Sequence, residues 1–191
     1  MASKGVKVYY RNMRRPVEWF LVWLGQRIIP PLSVHGMLRL SRWIGDTAYA
    51  FDCCGKAVAA ANLRLMFGAR LTPARERALV RRSYRNMARV LVNIFWMSRD
   101  TLARIRDQVT FSPAVLDALR VHQPAITVSA HFGNWEILSQ AAVASGIPMM
   151  SVAKRIGSPE MTDRLTALRA TIGQQIVPAE GALRHLIHAL K

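Results

Sequence analysis

From residue 124 onward, short apolar runs rich in β-branched residues alternate with helical segments, and this alternation narrows the possible folds more than any other feature. "PAITVSA" (124–130), "IPMMSVA" (147–153) and "QQIVPA" (174–179) read as buried strands. "NWEILSQAAVASG" and "EMTDRLTALRATIG" read as helices closed by Gly146 and Gly173, and "GALRHLIHALK" as a third helix. Helices on short connections make successive strands parallel, so the expected class is α/β, a parallel sheet flanked by helices. The series stops at Lys191, on a helix that ought to lead into another strand. Only the first half of such a sheet is therefore expected, with its C-terminal part missing.

Upstream, the pattern is helical. In "TPARERALVRRSYRNMARVLVNIFWM" (72–97), Thr72 is placed to cap a helix and Pro73 sits where its missing N–H costs nothing. Val80, Tyr84, Met87, Leu91 and Ile94 step by four and three, which predicts one buried stripe. Arg75, Arg82 and Arg89 step by seven on another face, flanked by Arg77, Arg81 and Arg85, with Glu76 as the single acid. A solvated basic face is the ordinary meaning of such a run. Arginines of this density, with planar forks suited to phosphate, point further, to a phosphate-bearing partner.

Charge is distributed unevenly. Residues 1–121 hold 21 basic and 7 acidic side chains, a net of +14, whereas residues 122–191 hold 6 and 4, a net of +2. The basic half should meet something anionic: nucleic acid, lipid headgroups or an acidic protein. Its first fifteen residues carry Lys4, Lys7, Arg11, Arg14 and Arg15 and run into "PVEWFLVWLGQRIIPPL". The apolar core there, Trp19 to Leu24, is too short to span a bilayer, and no small-residue cleavage site follows it. A second apolar segment, Val34 to Phe51, carries Trp43 with Arg39 and Arg42. Tryptophans beside basic residues suit helices lying in the interface on the cytoplasmic side of a membrane, so residues 1–55 are expected to be a membrane-associating region. The plainer alternative is two helices packed on the domain. A nucleic-acid partner is not expected, because it would leave the Trp-rich apolar N-terminus without a purpose. The two cysteines, Cys53 and Cys54, are adjacent and cannot readily pair with each other, and no closely spaced histidine completes a metal site, so no metal is expected.

His131 follows the first predicted strand, at the carboxyl end where parallel sheets bind ligands. Gly133 and Asn134 permit a tight turn, Asn134 is placed to cap the helix starting at Trp135, and Glu136 falls in its first turn. On one continuous helix, five residues would separate the two side chains by roughly 140°. A turn between them lets imidazole and carboxylate meet. The carboxylate then fixes the tautomer and raises the basicity of the other ring nitrogen, as needed to take a proton from an alcohol during acyl transfer. A structural histidine beside a glutamate favoured by the helix dipole reads the same residues more plainly.

The block "SAHFGNWE", Phe132 and Gly133–Asn134–Trp135 between His131 and Glu136, resembles the signature of the bacterial lipid A biosynthesis acyltransferases, the late lauroyl/myristoyl transferases of the His-x4-Asp/Glu glycerolipid acyltransferase superfamily. "NLRLMFGARLTPARERALVRRSYRNMARVLVN" and the Arg169 to Gly173 segment resemble further stretches of that family, so the likeness covers most of the chain. It implies that residues 56–191 are an acyltransferase domain continuing, in family members, into further strands beyond the equivalent of Lys191. It also implies His131 as general base and Glu136 as its orienting partner. An acyl group would pass from acyl carrier protein or acyl coenzyme A, used as substrate with no cofactor, to a hydroxyl of a lipid A-like membrane glycolipid. Arg169 would hold a phosphate or sugar, with Lys154, Arg155 and Asn134 as further substrate-binding residues. The cytoplasmic face of the inner membrane, an anionic surface, would be its place. The contrasting reading is a truncated, non-catalytic, membrane-peripheral relative that binds lipid or protein.

Overall fold

The computed structural model describes residues 4–130 and 132–190, with side chains from Pro16 onward. It is mostly helical, with one small parallel sheet flanked by helices, an α/β arrangement. Helix α1 spans Lys4–Ile28 and ends ahead of Pro30 and Pro31, which offer no N–H to extend it. α2 (Val34–Phe51) begins where Ser33 Oγ accepts the Gly36 N–H at 3.2 Å. α3 (Cys53–Phe67) begins where Asp52 accepts the Gly55 N–H at 2.8 Å. A short 3-10 turn, Gly68–Arg70, leads to α4 (Pro73–Trp96), whose Arg75 N–H donates to Thr72 Oγ1 at 3.3 Å, the cap its sequence predicts. Then follow α5 (Thr101–Gln108), α6 (Pro113–Val121), α7 (Trp135–Ala144), β1 (Met150–Ala153), α8 (Pro159–Arg169), β2 (Gln175–Pro178) and α9 (Ala182–Ala189).

The chain divides into two units: residues 32–93 form one, and the remaining described residues form the other. The 32–93 unit is held by acids that each serve more than one donor. Asp46 on α2 receives two guanidinium forks, from Arg81 at 2.8 and 2.9 Å and from Arg85 at 2.7 Å for both bonds. Those bonds, Arg85's first, hold its carboxyl far below the ordinary range. Asp52 accepts the Tyr84 hydroxyl at 2.7 Å as well as the Gly55 N–H, and both bonds lower its pKa. The same Tyr84–Asp52 bond, with burial, pushes the tyrosine up to about 12. Gly45 is required between α2 and α4: a Cβ there would lie 2.6 Å from the Arg85 Cα.

The predicted stripe on α4 is partly shifted. Val80 and Ile94 are buried as expected, but Met87 and Leu91 are about half exposed, while Ala88 and Val92 are buried in their place. Val80, Tyr84, Ala88 and Val92 step by four, and Val90, also buried, lies off that line, so the C-terminal half of α4 is covered on more than one side. The arginine density also resolves. Arg81 and Arg85 are committed to Asp46, whereas Arg75, Arg82 and Arg89 face solvent.

In the other unit, Trp96, Met97, Ile105, Ile137, Ala141, Ile147 and Leu165 are buried together as its apolar interior. Arg104 lies over the Trp96 ring, 4.0 Å from its centre, and donates to the carbonyls of Trp96 and Pro30, the latter at 2.8 Å. Glu18 on α1 accepts the Ser158 N–H at 3.2 Å, and Ser158 Oγ accepts the Met161 N–H at 3.2 Å, fixing the start of α8. β1 and β2 pair in parallel with Met150 opposite Gln175 and Ala153 opposite Pro178, and α8 forms the crossover between them. The strands expected at 147–153 and 174–179 are these two, the first shortened at its start and the second by one residue at each end.

The strand expected at 124–130 does not form. Ile126 and Val128 are 75% and 91% exposed, and β1 pairs with β2 rather than with this segment. β-branched residues supply only a preference for extended backbone; a strand exists through the ladder it joins, and among the described residues none meets 124–130. The sheet therefore has two strands rather than three. No helix among the described residues is long and apolar enough to cross a membrane, and α1 leaves Val17, Phe20 and Leu21 more than half exposed.

The depressed Asp46 and Asp52 values set the sign of the acid response. A carboxyl lowered by folding contributes stability above its ordinary pKa of about 4, and that contribution drains away as pH falls through the folded value. Thermal melts of the chain should therefore shift to lower temperature below about pH 4. Asp46→Asn should melt lower than wild type at neutral pH and show a shallower acid decline. Parallel curves for the two proteins would contradict the role given to Asp46.

Candidate active site

The site is assembled from the ends of elements. Gly133 turns the chain into α7 with φ +66°, a conformation that a side chain would strain. Glu136 then lies in the first turn of α7, where the helix dipole favours negative charge. Arg169 is the last residue of α8, where it favours positive charge. The two meet in a fork. Arg169 Nε donates to Glu136 Oε2 at 2.7 Å and Nη2 to Oε1 at 2.6 Å. Their side chains are 12% and 15% exposed, so the pair is shielded from solvent and oriented at both ends.

A groove of about 340 Å³ opens at the carboxyl ends of β1 and β2. Lys154 and Arg155, the two residues after β1, line it together with Arg169, Thr162 and Thr166. Arg155 reaches Glu180 only at 4.0 Å, with both side chains about two-thirds exposed, so its guanidinium is loosely held. The β2 residues Ile176 and Val177 give the groove apolar wall. Lys154, Arg155 and the Thr166 hydroxyl, with the fork-held Arg169 beside them, over an apolar wall make a surface that can bind a phosphate or sulfate attached to a less polar body. Asp163 on the same rim keeps the lining from being wholly cationic.

The structure thus brings together four of the residues singled out in the sequence: Glu136 with Arg169, and Arg169 with Lys154 and Arg155. Asn134 does not cap α7; its side-chain amide nitrogen and oxygen are both buried with no hydrogen-bond partner among the described residues. Its backbone precedes the helix with φ −112° and ψ 84°, away from the extended geometry of a capping residue. An unsatisfied buried amide is costly, and it leaves Asn134 with donors and an acceptor to offer. His131 lies outside the described residues. Glu136 retains capacity for it in principle: an ionised carboxylate has about four acceptor positions, and the Arg169 fork takes two.

Thr166 is a lining residue that the sequence reading does not single out, although Thr162, Thr166 and Arg169 step by four and three on one face of α8. Thr162 is structural: its Oγ1 accepts the Ile156 N–H at 3.1 Å and donates to the Ile156 carbonyl at 2.9 Å.

The family model described as bacterial lipid A biosynthesis acyltransferase matches residues 7–191 of the chain. No curated protein and no solved structure matches it.

Breaking the Glu136–Arg169 fork should be costly and non-additive. Arg169→Leu leaves a shielded carboxylate unpaired and should destabilise the chain by about 3 kcal/mol in chemical denaturation. Adding Glu136→Leu should recover part of that loss. Single-variant losses that simply sum in the double variant would show that the pair is not coupled.

Proposed function

From the membership of this chain in the bacterial lipid A biosynthesis acyltransferase family, we propose that it transfers a fatty acyl group from a thioester donor to a hydroxyl of a lipid A-like membrane glycolipid. The observation that carries the proposal is the family match over residues 7–191, which contains the whole "SAHFGNWE" block. The donor is acyl carrier protein or acyl coenzyme A, and the basic N-terminal half attracts either one, both being anionic.

In the proposed reaction His131 takes the proton of the acceptor hydroxyl as its oxygen attacks the thioester carbonyl. The tetrahedral intermediate collapses with loss of the C–S bond. The departing sulfur receives the proton from the imidazolium, leaving an ester, a thiol and a neutral histidine. Glu136 orients the imidazole and stabilises its charged form. Arg169 keeps Glu136 in place through the fork, which supports a positioning role for it in addition to phosphate binding. In this proposal Lys154 and Arg155 at the end of β1 hold a phosphate of the acceptor, and the Asn134 amide, which has no hydrogen-bond partner among the described residues, holds a polar group of either substrate.

The proposed location is the cytoplasmic face of the inner membrane. What supports it is the exposed apolar surface of α1, where Val17, Phe20, Leu21 and Trp23 stand beside Arg27 on a helix too short in apolar residues to span.

The test is acyl transfer from labelled donors to glycolipid acceptor in vesicles. His131→Ala should reduce the rate at least a hundredfold, the ordinary contribution of a general base, while melting temperature and vesicle binding stay as in wild type. Transfer undiminished in His131→Ala would remove this histidine from the mechanism.

A further inference from the structure

Helix α3 lies beyond the segment that the sequence nominates for membrane contact, and it is built inside out. None of its residues is fully buried. The side turned toward the 32–93 unit carries Gly55, Lys56, Ala59, Ala60 and Leu63, all half-buried. The opposite side carries Cys54, Val58, Ala61 and Leu65, stepping by four, three and four, and all four are exposed. Val58 is 62% exposed, Leu65 88% and Met66 76%. A helix of a water-soluble surface shows the reverse arrangement, with its large apolar residues inward. Here Gly55, Ala59 and Ala60 face in with Leu63 as the one large apolar residue, and Val58 and Leu65 stand in solvent.

The charges around this helix indicate what the face meets. Residues 32–93 contain three acids, Asp46, Asp52 and Glu76, and all three are consumed inside the unit. Asp46 is held by Arg81 and Arg85, Asp52 by Tyr84 and the Gly55 N–H, and Glu76 by an Arg64 fork at 2.6 and 2.8 Å. Exposed Arg39, Arg42, Arg70, Arg75, Arg82 and Arg89 have no ion-pair partner among the described residues. Arg70 follows the projecting Leu65–Met66–Phe67 by three residues, within reach of a headgroup layer if those side chains enter the acyl region. Trp43 on α2, 67% exposed, has Arg39 one turn before it on the same face.

We propose that α3 is a lipid-inserting helix. It seats Val58 and Leu65 in the acyl layer of an anionic leaflet, with the exposed Met66 at the margin of that face, while Arg70 just beyond its end binds the headgroups. Protruding side chains give a folded protein partner no recess to fill, whereas acyl chains close around any convex shape. The surplus positive charge complements anionic lipid without requiring a matched set of acids. The inference does not rest on the catalytic reading above, and it can hold for an inactive protein.

Two measurements on the full chain test it, using vesicles of phosphatidylethanolamine with about a quarter phosphatidylglycerol. In co-sedimentation, the Leu65→Glu, Met66→Glu double variant should lose about tenfold or more in partition coefficient, since each apolar side chain seated in acyl chains contributes on that order. A bimane label at Leu65→Cys, in a Cys53→Ser, Cys54→Ser background, should be quenched by lipids brominated in the upper acyl chain. The same label at Ala74→Cys on α4 should not. A label at 65 that stays unquenched while the protein sediments with vesicles overturns the proposal, whatever affinity other segments supply. So does a double variant that dissociates an oligomer, or loses binding to an acidic carrier protein, with vesicle partition unchanged.

Discussion

The fork between Glu136 and Arg169 is the interaction on which the site depends. It joins the first turn of α7 to the last turn of α8, so each charge also sits at the helix end whose dipole favours it. It is shielded from water, where two-point pairing is worth more and an unpaired partner costs more. Because α8 is the crossover between β1 and β2, the same contact fixes Arg169 on the rim of the groove at the strand ends. Residues 33 apart in the chain are thereby held together beside the groove.

A second economy governs residues 32–93. Few acids are present, and each is used to join helices: Asp46 gathers two arginines of α4, Asp52 both caps α3 and receives Tyr84, and Glu76 ties α4 to α3. Gly45 permits the close approach of α2 and α4 that these bonds require. The remaining arginines are left to face outward with no internal charge to answer them. Internal neutralisation and external positive charge are two results of one allocation.

What was legible in the sequence was local. Prolines, caps and periodicity located α2 at Val34–Phe51, α4 at Pro73–Trp96 and the βαβ unit around α8, because each signal acts within a few residues. What was not legible depended on partners far along the chain. Residues 124–130 have the composition of a strand but lack a ladder, and Asn134 has the chemistry of a cap but not the backbone angles. Met87 and Leu91 fit the apolar spacing of α4, yet Ala88, Val90 and Val92 are buried instead, since the faces a helix covers are set by what packs on it and not by its period alone. Glu136 and Arg169 were both chosen from sequence, for separate tasks, and only the fold shows that they hold each other.

The chain belongs to the bacterial lipid A biosynthesis acyltransferase family, and the proposal of acyl transfer to a phosphorylated, membrane-held acceptor stands on that membership. The most direct measurement is mass spectrometry of a lipid A precursor in vesicles, incubated with this chain and either acyl carrier protein or coenzyme A thioesters. The account predicts that the acceptor gains one acyl chain in a base-labile ester, with release of one free thiol for each ester formed. An acceptor whose mass is unchanged with both donors, in the presence of correctly folded and vesicle-bound protein, would contradict it.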